Sequence, residues 1–190
     1  MQRRELIAGG AALGLLSLGP LEVQAQSVPL SMQPVEVRIR ADIAPNEIHV
    51  IPDAFMLYWT MPNQRAIRYM VRVGRDNLYE AGEFYVGAKK EWPSWTPTPD
   101  MIARNPAAYK QFEDGMPGGP NNPLGARALY LFQPGRGDTY LRVHGTNAPN
   151  TIGSAVSNGC AGMLNDHIVD LYNRVPMQSR VVLHPKRGAA

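Results

Sequence analysis

Tyr140-Leu141-Arg142-Val143-His144 alternates polar-tipped and apolar side chains, and Gly145-Thr146 ends the run. A period of two marks a strand with one buried face. Tyr140, Arg142 and His144 are therefore expected on one face, Leu141 and Val143 on the other. Sixteen residues after His144 comes Cys160, in Ser157-Asn158-Gly159-Cys160. Just beyond it, Ile168, Leu171, Tyr172 and Val175 fall at i, i+3, i+4 and i+7. That spacing predicts an amphipathic helix over 165–175, with Asn165 or Asp166 placed to cap its start. A helix there, lying on a sheet that contains residues 140–144, brings Cys160 and His144 to one edge.

The rest of the chain supplies the sheet. Residues 35–40 alternate apolar and charged side chains. Residues 47–51 and 55–60 are two runs split by Pro52-Asp53, a turn signal. In 66–73, Ile67, Tyr69, Val71 and Val73 share one face, with Arg68 and Arg72 on the other. Residues 82–88, 126–133 and 180–184 read as further strands. Many short strands at such spacing predict a mainly β, sandwich-like or barrel domain. The 18 Gly and 17 Pro agree with a turn-rich fold. Residues 92–123 break the rhythm with seven prolines, two tryptophans and a Gly-rich tip. A connection of that length is usually functional or disordered, and 100–112 is expected to form a short helix within it.

Composition narrows the function. A chain of 190 residues, 44% hydrophobic, is enough for one domain with a real core. The net charge of +3 comes without a Lys/Arg block, so nucleic acid is not an expected partner. One cysteine rules out a disulfide scaffold. Arg3-Arg4, the apolar stretch from Leu6 to Leu18 and Val23-Gln24-Ala25 have the three-part layout of an export signal. It resembles a twin-arginine signal, with a general secretory route as the alternative. Its apolar run is short for a bilayer span. Residues 1–25 are therefore expected to be removed near Ala25. That leaves a leader at 26–35 and one folded domain at 36–190, expected to work in a periplasm with no stable membrane span.

Cys160 and His144 carry the chemistry. A cysteine attacks as thiolate, and a histidine within reach takes its proton. Glycines beside a nucleophile let backbone N–H groups approach a developing oxyanion. The residues alone leave the alternatives open: a small buried cysteine, and a strand-end histidine bonded to a carbonyl.

A wider set of motifs decides between them. Lys90-Glu91-Trp92-Pro93-Ser94-Trp95-Thr96-Pro97, the stretch from Met116-Pro117-Gly118-Gly119-Pro120 to Leu131, and His144-Gly145-Thr146-Asn147 through Ile152-Gly153, Ser157, Gly159-Cys160 and Met163 resemble the L,D-transpeptidases with a YkuD-type catalytic domain. The resemblance implies a β-sandwich-like fold with a capping loop, for which residues 92–123 are the candidate. It implies that Cys160 is acylated by a peptidoglycan stem peptide, that His144 is its base, and that the Gly145 carbonyl orients the imidazole. Donor and acceptor stem peptides are the expected partners, and no metal or cofactor is expected.

Two departures stand out. The family usually carries Ser-His-Gly-Cys, an apolar residue and Arg, whereas this chain has Asn158 for that histidine and Gly162 for that arginine. The altered motif suggests a divergent branch that joins L-alanine at stem position 1 to meso-diaminopimelate at position 3, rather than two diaminopimelates. Hydrolysis of the same thioester, as an L,D-carboxypeptidase or amidase, is the alternative activity. A wall-binding module without catalysis is the alternative class.

Ser157, Asn158, Gly159, Asn147, Arg142, Trp92 and Trp95 are the candidate substrate contacts. Arg142, on the face of His144, is preferred over Arg127 as a replacement cation. Trp92, Trp95 and Tyr109 read equally as the small core of the loop. His49, His167 and His184 show no metal-ligand spacing, and nothing resembles a phosphate loop or dinucleotide site.

Overall fold

The computed structural model describes residues 29–187. The expected export signal lies outside them. Among the described residues the strands are β1 (Val35–Arg38), β2 (Ile48–Ile51), β3 (Met56–Met61), β4 (Arg65–Met70), β5 (Val73–Gly74), β6 (Gly82–Glu91), β7 (Arg127–Gln133), β8 (Gly137–His144), β9 (Ala155–Ser157), β10 (Ala161–Gly162) and β11 (Arg180–Leu183). The helices are α1 (Pro99–Arg104), α2 (Pro106–Tyr109) and α3 (Asn165–Arg174). Nine strands form one sheet in the order β1-β4-β3-β2-β11-β6-β7-β8-β10, and β5 pairs with β9 apart from it. Most neighbours are antiparallel; β2–β11 and β8–β10 are parallel. The mainly β, sandwich-like expectation is met.

The sheet folds over a single apolar cluster. Ile48, Leu57, Tyr69 and Val71 from one end meet Leu129, Leu131, Val143, Ile168 and Leu171 from the other. A backbone seam completes the closure. The Arg72 N–H donates to Gly162 O at 2.7 Å, and the Gly162 N–H donates to Arg72 O at 3.0 Å. This joins the chain just after β4 to β10, although the two strands stand near opposite ends of the sheet order. The alternation read over 66–73 fits: Tyr69, Val71 and Val73 are buried, and Arg72 is turned the other way.

Helix α3 lies on β7 and β8 through Ile168 and Leu171, both fully buried. Cutting Leu171 back to Ala would leave a core cavity and cost about 2–5 kcal/mol. Its start differs from expectation. Leu164 is the N-cap residue, and no side chain caps the helix. Asn165 turns away, its Oδ1 accepting the N–H groups of Ala126 and Thr146 at 3.0 and 3.1 Å. Lys89 instead secures the other end, donating to Tyr172 O and Val175 O.

The helix expected over 100–112 is split. Asn105 precedes Pro106 and takes an extended φ of −150°, because the proline ring disfavours a helical residue before it. Thr98 caps α1 and Asn105 caps α2 through their side-chain oxygens. A 3₁₀ turn over Lys110–Phe112 follows. Strands β9 and β10 were not expected. They are too short to show a period of two, so the chain after Cys160 runs through β10 before α3 begins.

Candidate active site

Cys160 sits on a turn that its neighbours hold shut. Ser157 Oγ donates to Cys160 O at 2.6 Å and accepts the Gly159 N–H at 3.3 Å. Gly159 has φ +125°, a conformation open mainly to glycine. A Cβ there would also meet Leu78 O at 2.9 Å. The turn delivers the chain into β10, where Ala161 faces Val143 and Gly162 faces His144 in parallel register. Cys160 thus arrives beside Arg142.

Strand β8 receives the sulfur with a bulge. Tyr130 pairs with Arg142 and Phe132 with Asp138, so residues 139–141 stand opposite Leu131 alone. Tyr140 takes φ +62° and is 71% exposed, which breaks the expected alternation at that residue. The bulge aims backbone groups at the thiol: Tyr140 O lies 3.8 Å from Sγ, and the Arg142 backbone N–H favours the anionic form of the sulfur. Burial pushes the thiol above its ordinary pKa. The Arg142 N–H and the cations of Arg142 and Arg72 pull the other way without cancelling it.

His144 ends β8 and is buried. Its Nδ1 lies 2.5 Å from Gly145 O. A carbonyl only accepts, so Nδ1 carries the proton and Nε2 keeps the lone pair. Burial and the Arg72 cation push this imidazole down to about 3, the Gly145 carbonyl opposing. The resting pair at neutral pH is therefore a neutral thiol and a neutral imidazole of fixed tautomer. Position 145 has no room for a side chain: a Cβ would lie 2.2 Å from Asn165 Oδ1 and 3.0 Å from Ala126 N.

Cys160 and His144 line one cavity of about 620 Å³, along with Arg72, Arg104, Arg142 and Asn158. Residues 92–123 form its roof. Trp95 and Met116 exchange two backbone hydrogen bonds, and the Trp95 ring packs edge-on against Tyr109 and Phe112. Buried Asn122 ties the Gly-rich tip by donating to Met116 O and Pro117 O and accepting from the Leu124 N–H. Asn158 connects the roof to the turn that carries Cys160: its Nδ2 donates to Tyr109 Oη at 2.9 Å, and its Oδ1 accepts from Arg104 at 3.4 Å.

The remaining sequence candidates fall as follows. Ser157, Asn147, Trp95 and Arg142 line the cavity; Asn147 donates to Asn121 O. Trp92 is 46% exposed and is not among the lining residues. Arg142 forms two bonds to Asp138, at 2.6 and 2.9 Å, and lies 3.9 Å over the Tyr130 ring. Arg127 pairs with Glu91 away from the cavity. His49 and His184 bond to each other at 3.0 Å, and His167 packs near Tyr69. Among the described residues no group of three potential metal ligands comes together, and no helix is long and apolar enough to cross a membrane.

Sequence reasoning missed two residues. Arg72 was read as one charge on a strand face, and Asn165 as a helix cap. Their partners are distant in the chain, so no local pattern points to them.

The fold and the cavity define a β-sandwich domain with a cysteine and a histidine open to a cationic cleft. The chain belongs to the YkuD family, the L,D-transpeptidase catalytic domain, whose model matches residues 45–183. It is 41% identical over 106 residues to a putative L,D-transpeptidase of Fuscovulum blasticum, covering 56% of this chain and 51% of that one. It is 43% identical over 96 residues to the probable L,D-transpeptidase YbiS of Escherichia coli, covering 50% of this chain and 29% of that one. The matched region thus spans about half or less of these two relatives. Among solved structures, one from Brucella melitensis described as a probable carnitine operon oxidoreductase is 46% identical, with TM-score 0.55, covering 76% of this chain and 88% of that one. That description belongs to the Brucella protein. L,D-transpeptidase 3 of Mycobacterium tuberculosis shares the fold at 15% identity, with TM-score 0.53 over 73% of this chain and 60% of that one.

Proposed function

We propose that this chain is an exported peptidoglycan L,D-transpeptidase that forms stem-peptide crosslinks through a thioester on Cys160. The observation that carries the reading is the His144 ring, pinned through Nδ1 to Gly145 O so that Nε2 keeps the lone pair, in a residue that lines the same cavity as Cys160. Nε2 takes the thiol proton as sulfur attacks the carbonyl carbon of a donor peptide bond. The Cys160 N–H steadies the oxyanion, whereas the Gly159 N–H is taken up by Ser157 Oγ. Collapse breaks the C–N bond, and the imidazolium returns its proton to the departing amine. An acceptor amine, on diaminopimelate of a second stem, then attacks the thioester. His144 takes the amine proton and passes it to the leaving sulfur, so a new amide forms and the thiol is regenerated.

The roof favours amine over water by covering the thioester while the acceptor enters. The changed motif at Asn158 and Gly162 supports the linkage of L-alanine at position 1 to diaminopimelate at position 3. The layout of residues 1–25 supports cleavage near Ala25 and work in a periplasm. Incubation with defined muropeptides tests the reading. Crosslinked dimers whose fragments show a 1–3 bond are expected. Trimmed monomers alone would replace it with carboxypeptidase or amidase action, and 3–3 dimers would overturn the linkage.

A further inference from the structure

Three cations line the cavity, and they are not equivalent. Arg142 is neutralised by Asp138 and stacked on Tyr130. Arg104 is exposed on α1, where it meets Asn158. Arg72 is neither exposed nor matched by a carboxylate among the described residues. Its one side-chain hydrogen bond runs from Nη1 to neutral Thr151 Oγ1, at 3.1 Å. Its Nε is buried without a partner. A buried N–H left so carries the full desolvation cost of that group, and stability alone gives no reason to keep it.

The place of Arg72 depends on a bare backbone beneath it. Gly162 stands in register with His144 on one side and bridges Arg72 on the other. A Cβ added to Gly162 would lie 2.5 Å from Arg72 Nε, 3.0 Å from its Cγ and 3.2 Å from its Cδ. The Arg72 side chain thus occupies the space that any residue at position 162 would need. An arginine at 162, as in the related motif, and the arginine at 72 are alternatives for one volume.

We propose that Arg72 is the anion-binding residue of this site and takes a carboxylate of the acidic donor peptide, with Gly162 making room for it. The proposal rests on the transpeptidase reading for the nature of the peptide. A half-buried guanidinium without a counter-ion has already lost part of its hydration, and a carboxylate laid against its fork restores that loss with charge-assisted bonds. The cation also acts on both reacting groups: it opposes protonation of His144 and favours the anionic form of Cys160. Arg72 binds and orients substrate; it exchanges no proton.

The test uses the Cys160→Ala protein, so that binding is read without acylation. Calorimetry compares a diaminopimelate-containing tetrapeptide with the same peptide carrying carboxamides. The carboxylate peptide is expected to bind at least tenfold tighter. Adding Arg72→Gln should weaken it by about 30-fold or more, the lower end for truncating one partner of a desolvated charge pair, and leave the carboxamide peptide unchanged. Arg72→Lys, which keeps the charge, should retain part of the preference and serves if the glutamine variant does not fold. Gly162→Arg alone should lose affinity by displacing Arg72, whereas Arg72→Ala with Gly162→Arg should restore the preference. Equal weakening of both peptides, an unchanged preference, or no preference at the outset would each overturn the assignment. The transpeptidase reading is judged separately, by intact-mass detection of an acyl adduct on the unmodified protein. An adduct without carboxylate preference refutes the role of Arg72 alone, and preference without an adduct refutes the reading alone.

Discussion

Asn165 and His144 hold opposite ends of one peptide bond. Asn165 Oδ1 accepts the Thr146 N–H, and the carbonyl of that same peptide, Gly145 O, receives the His144 Nδ1–H. The side chain at the start of α3 therefore fixes the plane of the group that fixes the imidazole. Asn165→Ala is expected to lower kcat by about tenfold or more, since small misplacements of a catalytic group are costly, with KM for the donor peptide little changed. Asn165→Asp retains an acceptor oxygen and should recover most of the rate. Equal loss in both variants, or a rise in KM alone, would assign Asn165 to packing instead.

Replacing Cys160 and His144 one at a time tests the proposed nucleophile and the proposed base separately. Cys160→Ala should abolish both the acyl adduct and the crosslinked product while thermal unfolding stays cooperative. Residual crosslinking would exclude Cys160 as nucleophile. His144→Gln should cost about 10²–10⁴ in rate, the usual range for a general base, and an unchanged rate would exclude that role.

The strands were legible because their apolar period is local. In 66–73 the alternation is readable without any knowledge of the partner strands, in 140–144 the structure breaks it at Tyr140, and α3 announces itself through Ile168, Leu171 and Val175. Cys160 and His144 were legible as reactive residue types, and the surrounding motifs set their order. What stayed hidden depends on contacts between distant segments. Arg72 becomes a cavity residue only because the seam sets it against Gly162. Asn165 looked like a cap because the Ala126 and Thr146 N–H groups it serves come from other elements. The bulge at Tyr140 is likewise invisible in a sequence that alternates without a break.

Asn158 latches the roof to the nucleophile turn through Tyr109 and Arg104. Asn158→Ala removes both bonds and should let water reach the thioester more often. The ratio of trimmed to crosslinked product is expected to rise several-fold, with acylation by the donor little affected. Tyr109→Phe, which removes one of the two bonds, should give a smaller change in the same direction. An unchanged ratio in both variants would separate the latch from the partition between water and amine.

Buried neutral imidazoles make the fold sensitive to acid. His144 is held down to about 3, whereas the unfolded chain takes that proton near the ordinary histidine value. Between those two values the unfolded state binds more protons, so stability falls as pH falls. It is complete above about pH 6.5 and lost progressively towards 3, by up to ~1.4 kcal/mol per pH unit for this ring. Burial lowers His49, His167 and His184 in the same direction. Urea unfolding from pH 7.5 to 4 should show the decline, and His144→Gln should reduce its slope by one proton's share. A pH-independent midpoint would contradict the burial of these rings.

The same two shifts distinguish this pair from a preformed thiolate–imidazolium. Burial raises the Cys160 thiol and keeps His144 unprotonated through mildly acidic pH. Proton transfer must then accompany attack rather than precede it. Alkylation of Cys160 by iodoacetamide should climb steadily between pH 6 and 9, without the neutral plateau of a standing thiolate. For the donor peptide, kcat/KM should show no acid limb near the ordinary histidine value, because the free enzyme's base already holds its lone pair there. Arg72→Gln removes one of the cations that favour the thiolate, so the alkylation curve should move to higher pH in that variant. A plateau at pH 7 in the unmodified protein would place the proton on His144 before substrate arrives and would require an ion pair that the buried, carbonyl-bound imidazole disfavours.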